Sequence, residues 1–324
     1  MTAAPVSVVL LTYNEAHNIE PCLQSVVGWC REIHVVDSGS TDGTPDIARK
    51  YTSLVHFHPY VDHRSQLRWV LENVLFACEW LLLVDADLRV SDGLKGQIST
   101  ALAQPNEGID GFYSAHRVFF RGRPVRGLKG RSLRLVRHRK ASLDDSELVD
   151  FRILLRGKTG YLSGAMIEDN ANERDIDWWV DKHQLFATRQ AVEEVLRTNG
   201  RLHWSVASRV LGNHDERMIW LKERWYRVPL FLRPVLYFCY RYFLRLGILD
   251  GWNGFVFHFL HAFWFRLLVD VKIDELRRGL HDGRYTLEQL YRQYRWTRAP
   301  TSPAPSSSQP LDAQRTPVRA SGTR

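Results

Sequence analysis

The chain has 324 residues, of which 44% are hydrophobic and 25% charged, and its formal net charge is +8. This composition supports a sizeable core, and the length predicts one large domain or two smaller ones. Residues 1–5 contain no basic region and no long apolar stretch, which argues against a cleaved signal peptide. No C-x-x-C spacing is present, so we expect all four cysteines to be reduced core residues in a cytosolic compartment: Cys22, Cys30, Cys78 and Cys239.

The positive charge is concentrated in three segments. Residues 116–140 contain ten Lys or Arg and no acid, giving +10, while residues 222–266 give +5 and residues 298–324 give +3. Subtracting these contributions from +8 leaves −10 for the rest of the chain. Such basic segments indicate contacts with the phosphates of a diphosphate ligand, anionic lipid or nucleic acid. For residues 116–140, a solvated surface loop is the alternative.

Short apolar runs alternate with helix-like segments over residues 1–115, which predicts a mostly parallel α/β sheet. Polar and acidic residues directly follow three of these runs: 6–11, 32–36 and 80–84. The predicted helices lie near residues 16–29, 44–50 and 64–78. Parallel sheets bind ligands beyond the carboxyl ends of their strands, so we expect the three acidic clusters to converge at one edge. Converging carboxylates repel each other unless a cation or a ligand's donors lie among them.

The later segments give a looser pattern. Residues 110–165 mix basic, apolar and Gly residues and predict β-structure with loops, whereas helical spacing predicts a helix over residues 176–197. Residues 218–278 are rich in aromatic residues, but their longest uncharged stretch, 251–265, is shorter than the ~20 residues of a membrane span. Aromatic residues interleaved with Arg favour a helix in the lipid interface, with core helices or a re-entrant hairpin as alternatives.

Asp85-Ala86-Asp87 ends the fourth apolar run. Side chains at i and i+2 of an extended segment point the same way, so these carboxylates predict a Mg²⁺ or Mn²⁺ site that stays open to phosphate oxygens. Alternatively, Asp87 caps the next helix and Asp85 is a solvated loop acid. The polar turn 37–44 suits the edge of a nucleotide, although some of its side chains would only cap the following helix. Neither G-x-G-x-x-G after the first strand nor a Walker A sequence is present.

Three motifs together resemble family 2 glycosyltransferases of the GT-A fold. They are Thr12-x-Asn14-Glu15, Asp37-Ser38-Gly39-Ser40-x-Asp42-Gly43-Thr44 and Asp85-x-Asp87. The later Glu168-Asp169 pair, with Trp178-Trp179-Val180-Asp181-Lys182-His183, is similar to a bacterial, non-processive branch acting in lipopolysaccharide or exopolysaccharide assembly. Two residues depart from that branch, Leu88 where an acid is frequent and Ile167 where a His is common. A Q-x-x-R-W motif is missing at 221–225, which disfavours a processive synthase.

The resemblance implies an inverting hexosyltransferase with a UDP-linked sugar as donor. The residues implied in nucleotide-sugar binding are Thr12, Asn14, Glu15, Asp37, Ser38, Gly39, Asp42, Asp85 and Ala86. Asp87, with Asp85, would hold Mg²⁺ or Mn²⁺ on the diphosphate. Inversion needs a base on the opposite face of the sugar, and Asp169 is the first candidate and Glu168 the second. The alternative for this pair is two ordinary loop acids.

The remaining candidate residues would contact the diphosphate or the acceptor: Arg64, Arg131, Arg134, Trp178, Trp179, Lys182 and His183. Of the two tryptophans, one is expected in the core. The implied partners are a lipid-linked saccharide acceptor and an anionic membrane, at the cytoplasmic face of the bacterial inner membrane. Nucleic acid is not expected, because an acidic crevice repels phosphate when no metal is bound.

The predicted architecture is a GT-A domain over residues 1–217, with a nucleotide-binding half at 1–115 and an acceptor half at 116–217. A basic, aromatic, membrane-associating helical region would follow at 218–297, and a Pro/Ser-rich disordered tail at 298–324. Two other functions compete. One is an inactive membrane scaffold with the same fold. The other is D-x-D phosphoryl transfer of the haloacid dehalogenase type, in which the motif follows the first strand rather than the fourth.

Overall fold

The computed structural model describes residues 3–104, 108–128, 130–149 and 151–295, so the predicted tail 298–324 lies outside the described residues. The strands are β1 (Ala4–Thr12), β2 (Cys30–Asp37), β3 (Val55–Phe57), β4 (Trp80–Asp85), β5 (Leu88–Val90), β6 (Ile109–Phe120), β7 (Arg123–Pro124), β8 (Arg131–Arg137), β9 (Ala141–Leu143), β10 (Ile153–Leu155) and β11 (Lys158–Glu168). The helices are α1 (Ile19–Val26), α2 (Thr44–Arg49), α3 (His63–Asn73), α4 (Asp92–Ala103), α5 (Ile176–Thr198), α6 (His214–Arg227), α7 (Leu232–Cys239), α8 (Gly251–His258), α9 (Phe265–His281) and α10 (Leu287–Arg295).

A mixed sheet forms the centre of the fold, with nine strands in the described ranges. Eight of them follow the order β3-β2-β1-β4-β8-β6-β11-β5, and β7 pairs with β6. The first four are mutually parallel, β8 runs against both of its neighbours, and β11 is parallel to β6 but antiparallel to β5. The parallel sheet predicted from residues 1–115 is therefore confirmed for four strands, and the carboxyl ends of β1, β2 and β4 meet at one edge.

The continuous apolar run of β1 follows from its burial on both faces. Leu10 packs in one core cluster with Ile19 and Leu23 of α1, whereas Val9 packs in another with Leu67 of α3. Since neighbouring side chains of a strand point to opposite faces, a strand covered by helices on both sides has no polar face. This arrangement leaves the residues after the strand end as the first polar groups, and it fixes them at the sheet edge.

Helix boundaries follow local capping. The Asp62 carboxylate accepts a hydrogen bond from the Ser65 N–H and starts α3, which ends at Asn73, earlier than the predicted residue 78. Asp175 accepts from the N–H groups of Asp177 and Trp178, so α5 begins one residue later and runs to Thr198. The helix predicted over 176–197 is thereby confirmed.

Helices from both sides of the predicted boundary at residue 217 share one core. Ala187 and Val192 of α5 pack with Phe265 and Ile273 of α9. Buried ion pairs join the same elements, because the guanidinium of Arg233 in α7 lies between the carboxylates of Glu194 and Asp270, at N–O distances of 2.9 and 2.6 Å. Residue 217 is therefore not the end of a separate hydrophobic core.

Two details of the C-terminal part differ from expectation. Cys22, Cys30 and Cys78 are buried, but Cys239 is exposed, so the prediction that every cysteine is a core residue is wrong for Cys239. One continuous helical stretch, Gly247–His281, is long and apolar enough to cross a membrane by length and composition. Core helices of soluble proteins meet the same criterion, so this is weak evidence for a membrane span. Its second half, α9, belongs to the core shared with α5.

Candidate active site

The loops after β1 and β2 interlock at the carboxyl edge of the sheet. The Asn14 N–H donates to the Ser40 hydroxyl at 2.8 Å, and the Asn14 side-chain oxygen accepts from the Thr41 N–H at 2.9 Å. The Glu15 N–H donates to the Thr44 hydroxyl at 2.8 Å. Asn14 has φ of +54°, a left-handed conformation that Asn tolerates better than most residues. Two of the predicted nucleotide-binding segments therefore form one continuous surface.

Asp37 and Asp42 are engaged within these loops. The buried Asp37 carboxylate accepts from the N–H groups of Gly39 and Ser40 at 2.9 and 2.8 Å, and from the Thr12 hydroxyl at 3.2 Å. Asp42 accepts from the N–H and hydroxyl of Thr44. The capping alternative accounts for these contacts of Asp42, whereas Asp37 holds the turn that follows β2.

Asp85 and Asp87 contact different partners. Two nitrogens of Arg134 donate to the Asp85 carboxylate at 3.2 and 2.7 Å, and His63 Nε2 lies 3.9 Å from it. The Asp87 carboxylate instead accepts from the Asn170 amide at 3.0 Å. Ala86 and Asp87 form a turn, so the expected extended segment is not present. In the described part of the chain, no three His, Cys, Asp or Glu side chains are grouped to hold a metal ion.

The two carboxylates also differ in charge environment. Burial alone would raise the pKa of Asp85, but Arg134 and His63 hold it below its usual range. Burial raises the pKa of Asp87. The charge of Lys182 opposes this shift, but burial, with smaller contributions from the charges of Asp85 and Glu173, outweighs it. A divalent cation needs only one or two protein carboxylates when phosphates complete its shell. Asp87 fits that role, whereas Arg134 already neutralises Asp85.

The Glu168-Asp169 pair lies beside this turn because β11 pairs with β5. Glu168 is opposite Leu88, and the Asp169 N–H donates to the Asp87 carbonyl at 3.2 Å. Burial raises the pKa of Glu168 to about 7, and the charges of Asp87 and Glu173 add to the shift. Arg89 Nη1 lies 3.8 Å from the Asp169 carboxylate. The structure thus brings together the D-x-D motif and the predicted base pair, which are far apart in sequence.

A hydrogen-bonded chain that sequence reasoning missed links the first motif to Asp87. The Asn18 amide donates to Glu15 at 2.7 Å and to the Asn170 side-chain oxygen at 3.0 Å, and Asn170 donates onward to Asp87. Burial raises the pKa of Glu15 to about 7, although the bond from Asn18 opposes the shift. The one available signal for Asn170 was its position directly after the Glu-Asp pair.

Helix α5 divides its candidate residues between the site and the core. Lys182 Nζ lies 2.8 Å from Glu173 and 5.0 Å from the ring centre of Trp178. Burial alone would lower the pKa of Lys182, but the carboxylates of Glu173, Asp87 and Glu168 raise it. Trp179 is 1% exposed and stacks on His183. Burial lowers the pKa of His183 to about 4. Trp179 and His183 are therefore placed in the interior, while Lys182 faces the carboxylates.

The three candidate arginines are also separated. Only Arg134 reaches the D-x-D motif. Arg64 donates to the carbonyls of Asp145 and Glu147, at 2.9 and 3.1 Å, and Arg131 lies over the ring of Tyr161. His116, which was not a candidate, lies 4.0 Å from the Glu168 carboxylate.

Comparison with known families decides the class of this site. Residues 7–145 match the family described as glycosyl transferase family 2. The chain carries a family 2 glycosyltransferase domain. The matched segment includes both interlocked loops and the D-x-D motif, and it ends before the Glu-Asp pair.

Individual relatives of this glycosyltransferase have similar names. A lipopolysaccharide core biosynthesis glycosyltransferase, LpsC of Rhizobium meliloti, is 26% identical over 80% of this chain and 90% of its own length. An uncharacterized glycosyltransferase of Rickettsia bellii is 34% identical, but over 32% of this chain and 34% of its own. The glucosyl-3-phosphoglycerate synthase of Mycobacterium tuberculosis, solved with Mn²⁺ and UDP, is 27% identical with a TM-score of 0.29, covering 35% of this chain and 44% of that one. At that TM-score the likeness supports no inference about ligands.

Proposed function

We propose that this glycosyltransferase moves a hexose, with inversion, from a UDP-linked sugar to a lipid-linked saccharide during lipopolysaccharide or related cell-surface polysaccharide assembly. The observation that carries the proposal is the meeting of Asp87, the Glu168-Asp169 pair and Lys182 at one edge of the sheet. The name of the rhizobial relative supports the pathway. The reaction would take place at the cytoplasmic face of the bacterial inner membrane.

Donor binding would use the interlocked loops after β1 and β2, with the ribose and base held by Asn14, Glu15, Asp37 and Asp85. Asp87 would hold Mg²⁺ or Mn²⁺, which when bound neutralises charge on the leaving diphosphate. The raised pKa of Asp87 supports this role, because a carboxylate without enough counter-charge gains most from a cation. Lys182 would add a fixed positive charge on the same side.

Asp169, or Glu168 as the second candidate, would take the proton of the acceptor hydroxyl. The acceptor oxygen then bonds to the anomeric carbon, while the bond from that carbon to the diphosphate oxygen breaks. The Asp169 backbone bond to Asp87 supports Asp169, because it holds this residue in register with the donor site. The pKa of about 7 supports Glu168, because a base is most effective when its pKa is near the working pH.

An inactive scaffold with the same fold is the second candidate. The bidentate contact of Arg134 with Asp85 favours it, because that contact neutralises one of the two predicted metal ligands. Leu88 and Ile167, where the resembling branch carries an acid and a His, point the same way. Phosphoryl transfer by the D-x-D motif is disfavoured, since the motif follows the fourth strand.

The deciding experiment is thermal unfolding with UDP, GDP, dTDP or CMP, each with Mn²⁺ and with EDTA. A ligand at about 100 times its Kd adds about 2.7 kcal/mol of stability, which gives a clear rise in Tm. We expect UDP with Mn²⁺ to stabilise the protein, and Asp87→Asn to lose the effect of the metal. Asp92→Asn, a change at a side chain 97% exposed, is the matched control and should behave as the unmodified protein.

Two results would contradict the proposal. If folded protein responds to none of the nucleotides with or without metal, the scaffold becomes the better assignment. If UDP stabilises equally in EDTA and in Asp87→Asn, nucleotide binding stands and the role of Asp87 in holding a metal is wrong.

A further inference from the structure

Residues 228–265 reverse the usual distribution of polar and apolar side chains. The segment contains four formally charged residues: Arg233, Arg241, Arg245 and Asp250. Arg233 and Arg241 are each 1% exposed, the Asp250 side chain is 8% exposed, and Arg245 is partly buried and donates to the Tyr240 hydroxyl. The charges of this segment are thus turned into the protein.

Large apolar side chains of the same segment point outward. Leu244 and Trp252 are 76% and 75% exposed, Leu249 is 63% exposed, and Phe243 and Leu246 are each more than half exposed. Single exposed apolar residues are ordinary on protein surfaces, but a group of five within ten residues is not. We call this group, within residues 243–252, the apolar face.

A basic hairpin lies against the apolar face. It is the turn between β6 and β7 with its flanks, where Arg117, Arg121, Arg123 and Arg126 are exposed. The hairpin is fixed to the helices by three contacts: the Asn253 amide donates to the Phe120 carbonyl at 3.1 Å, Phe120 packs on Phe257, and Arg126 pairs with Asp250. A cationic rim therefore borders the apolar face on the side of the sheet.

We propose that the apolar face and the basic hairpin together form a docking surface for an anionic lipid bilayer, with the apolar side chains in the interface and the arginines on the headgroups. Apolar side chains bordered by Arg are what in-plane membrane segments present. The positive rim distinguishes a bilayer from a second copy of this chain, whose matching rim would repel it. Docking is in-plane, because α9 is packed on α5 and Arg233 is paired with Asp270, which keeps the second half of the long helical stretch in the protein.

The surface also sets the orientation of the enzyme. The hairpin continues β6, which pairs in parallel with β11, so the basic hairpin and Glu168 lie at the same end of the two strands. The candidate active site at Glu168 would therefore lie close to the headgroups, where a lipid-linked acceptor is held. This orientation rests on the proposed function, whereas the docking surface itself does not.

Flotation of the full chain with vesicles tests the proposal without donor or acceptor. The probes are phosphatidylcholine vesicles with and without phosphatidylglycerol. We expect strong binding to the anionic vesicles. Leu249→Glu/Trp252→Glu should lower the affinity for these vesicles at least about tenfold, because burying one large apolar side chain contributes more free energy than a tenfold change in affinity requires. Arg121→Gln/Arg123→Gln should lose the preference for anionic over neutral vesicles. Leu75→Glu is the control, because Leu75 is 92% exposed and precedes β4 at the opposite edge of the sheet.

The outcomes separate the alternatives. Unchanged flotation of Leu249→Glu/Trp252→Glu would overturn the proposal, as would a folded unmodified protein that binds neither vesicle. A third outcome is that the unmodified protein does not float but self-associates without lipid, and that the double variant abolishes this self-association. That outcome would assign the apolar face to a second copy of the chain and would also overturn the proposal. Thermal unfolding of each variant with UDP and Mn²⁺ checks folding. A negative nucleotide result with normal flotation would remove the proposed function and leave the docking surface in place.

Discussion

Two glutamates of the candidate active site, Glu15 and Glu168, have pKa values raised to about 7, mainly by burial. A raised carboxyl pKa means that the folded protein binds protons that the unfolded chain has released. Stability from these groups is therefore complete below their ordinary pKa of 4.5 and decreases as the pH rises through about 7. The protein is therefore less stable when both carboxyl groups are ionised.

Glu168→Gln should remove part of this pH dependence. Between about pH 5 and about pH 8, we expect the free energy of unfolding to decrease in the unmodified protein. In Glu168→Gln this decrease should be smaller by about 1 kcal/mol, a figure reduced to allow for solvent exposure of the side chain. Urea unfolding at the two pH values measures the difference. Equal pH dependence in both proteins would show that the Glu168 carboxyl is not the group that titrates.

The same residues allow the base to be identified. Loss of a general base should reduce the transfer rate by about 10²–10⁴, with the nucleotide-induced rise in Tm retained. If Asp169 is the base, Asp169→Asn shows this loss and Glu168→Gln keeps most of the rate. If Glu168 is the base, the rate of the unmodified enzyme also rises with pH towards a plateau above about 7. Full activity in both variants would contradict a role for the pair as base.

At the scale of elements, α5 presents one face to the candidate active site and an adjacent face to the core. Lys182 and Trp178 lie with the carboxylates, whereas Trp179 and His183 pack against Trp264 and Phe265. The helix therefore connects the chemistry at the sheet edge to the C-terminal helices through a single rigid element.

This division predicts different effects for two adjacent tryptophans. Trp179→Ala should reduce the free energy of unfolding by about 3–5 kcal/mol, because it leaves a cavity under a fully buried side chain. Trp178→Ala should cost about 1 kcal/mol or less, because the side chain is only partly buried, and should instead weaken the binding of donor or acceptor. Denaturant unfolding and binding assays on both variants provide the test. Equal losses of stability would contradict the division.

The elements that the sequence predicted best are those whose signal is local. The runs that became β1, β2 and β4 lead into polar and acidic residues because the strands are covered by helices on both faces and their carboxyl ends lie at the edge of the sheet. The bond between Asn18 and Asn170 joins residues 152 positions apart, so no local pattern contains it. The environment of Asp85 was also unpredictable, because Arg134 reaches it from β8, which the pattern at 110–165 placed only as unspecified β-structure.

At the scale of the whole molecule, the catalytic sheet and the C-terminal helices depend on each other. The core face of α5 is covered by α9 and α10, and the buried Arg233 is neutralised from both α5 and α9. Removing one partner of such a buried network leaves uncompensated charge. The family match over residues 7–145 therefore covers only a part of one larger folded unit.

A fragment ending at residue 217 should consequently not form a stable monomer. It would expose Ala187, Val192 and Leu196 to water and leave Glu194 without Arg233. We expect aggregation or a broad, non-cooperative unfolding transition, measured by size-exclusion chromatography and denaturant unfolding against the full chain. Cooperative unfolding of the fragment with a normal response to UDP and Mn²⁺ would show that the predicted boundary does separate two folding units.

The apolar face has a kinetic consequence. With the proposed docking and a lipid-linked acceptor, an enzyme held through Leu249 and Trp252 would meet only those acceptors that diffuse in the same leaflet, so its encounter rate would depend on acceptor molecules per lipid rather than per litre. Confinement of this kind raises the effective concentration of a partner without any additional contact. Adding acceptor-free anionic vesicles should then slow the reaction at constant total enzyme, donor and acceptor, because enzyme and acceptor are distributed over more surface.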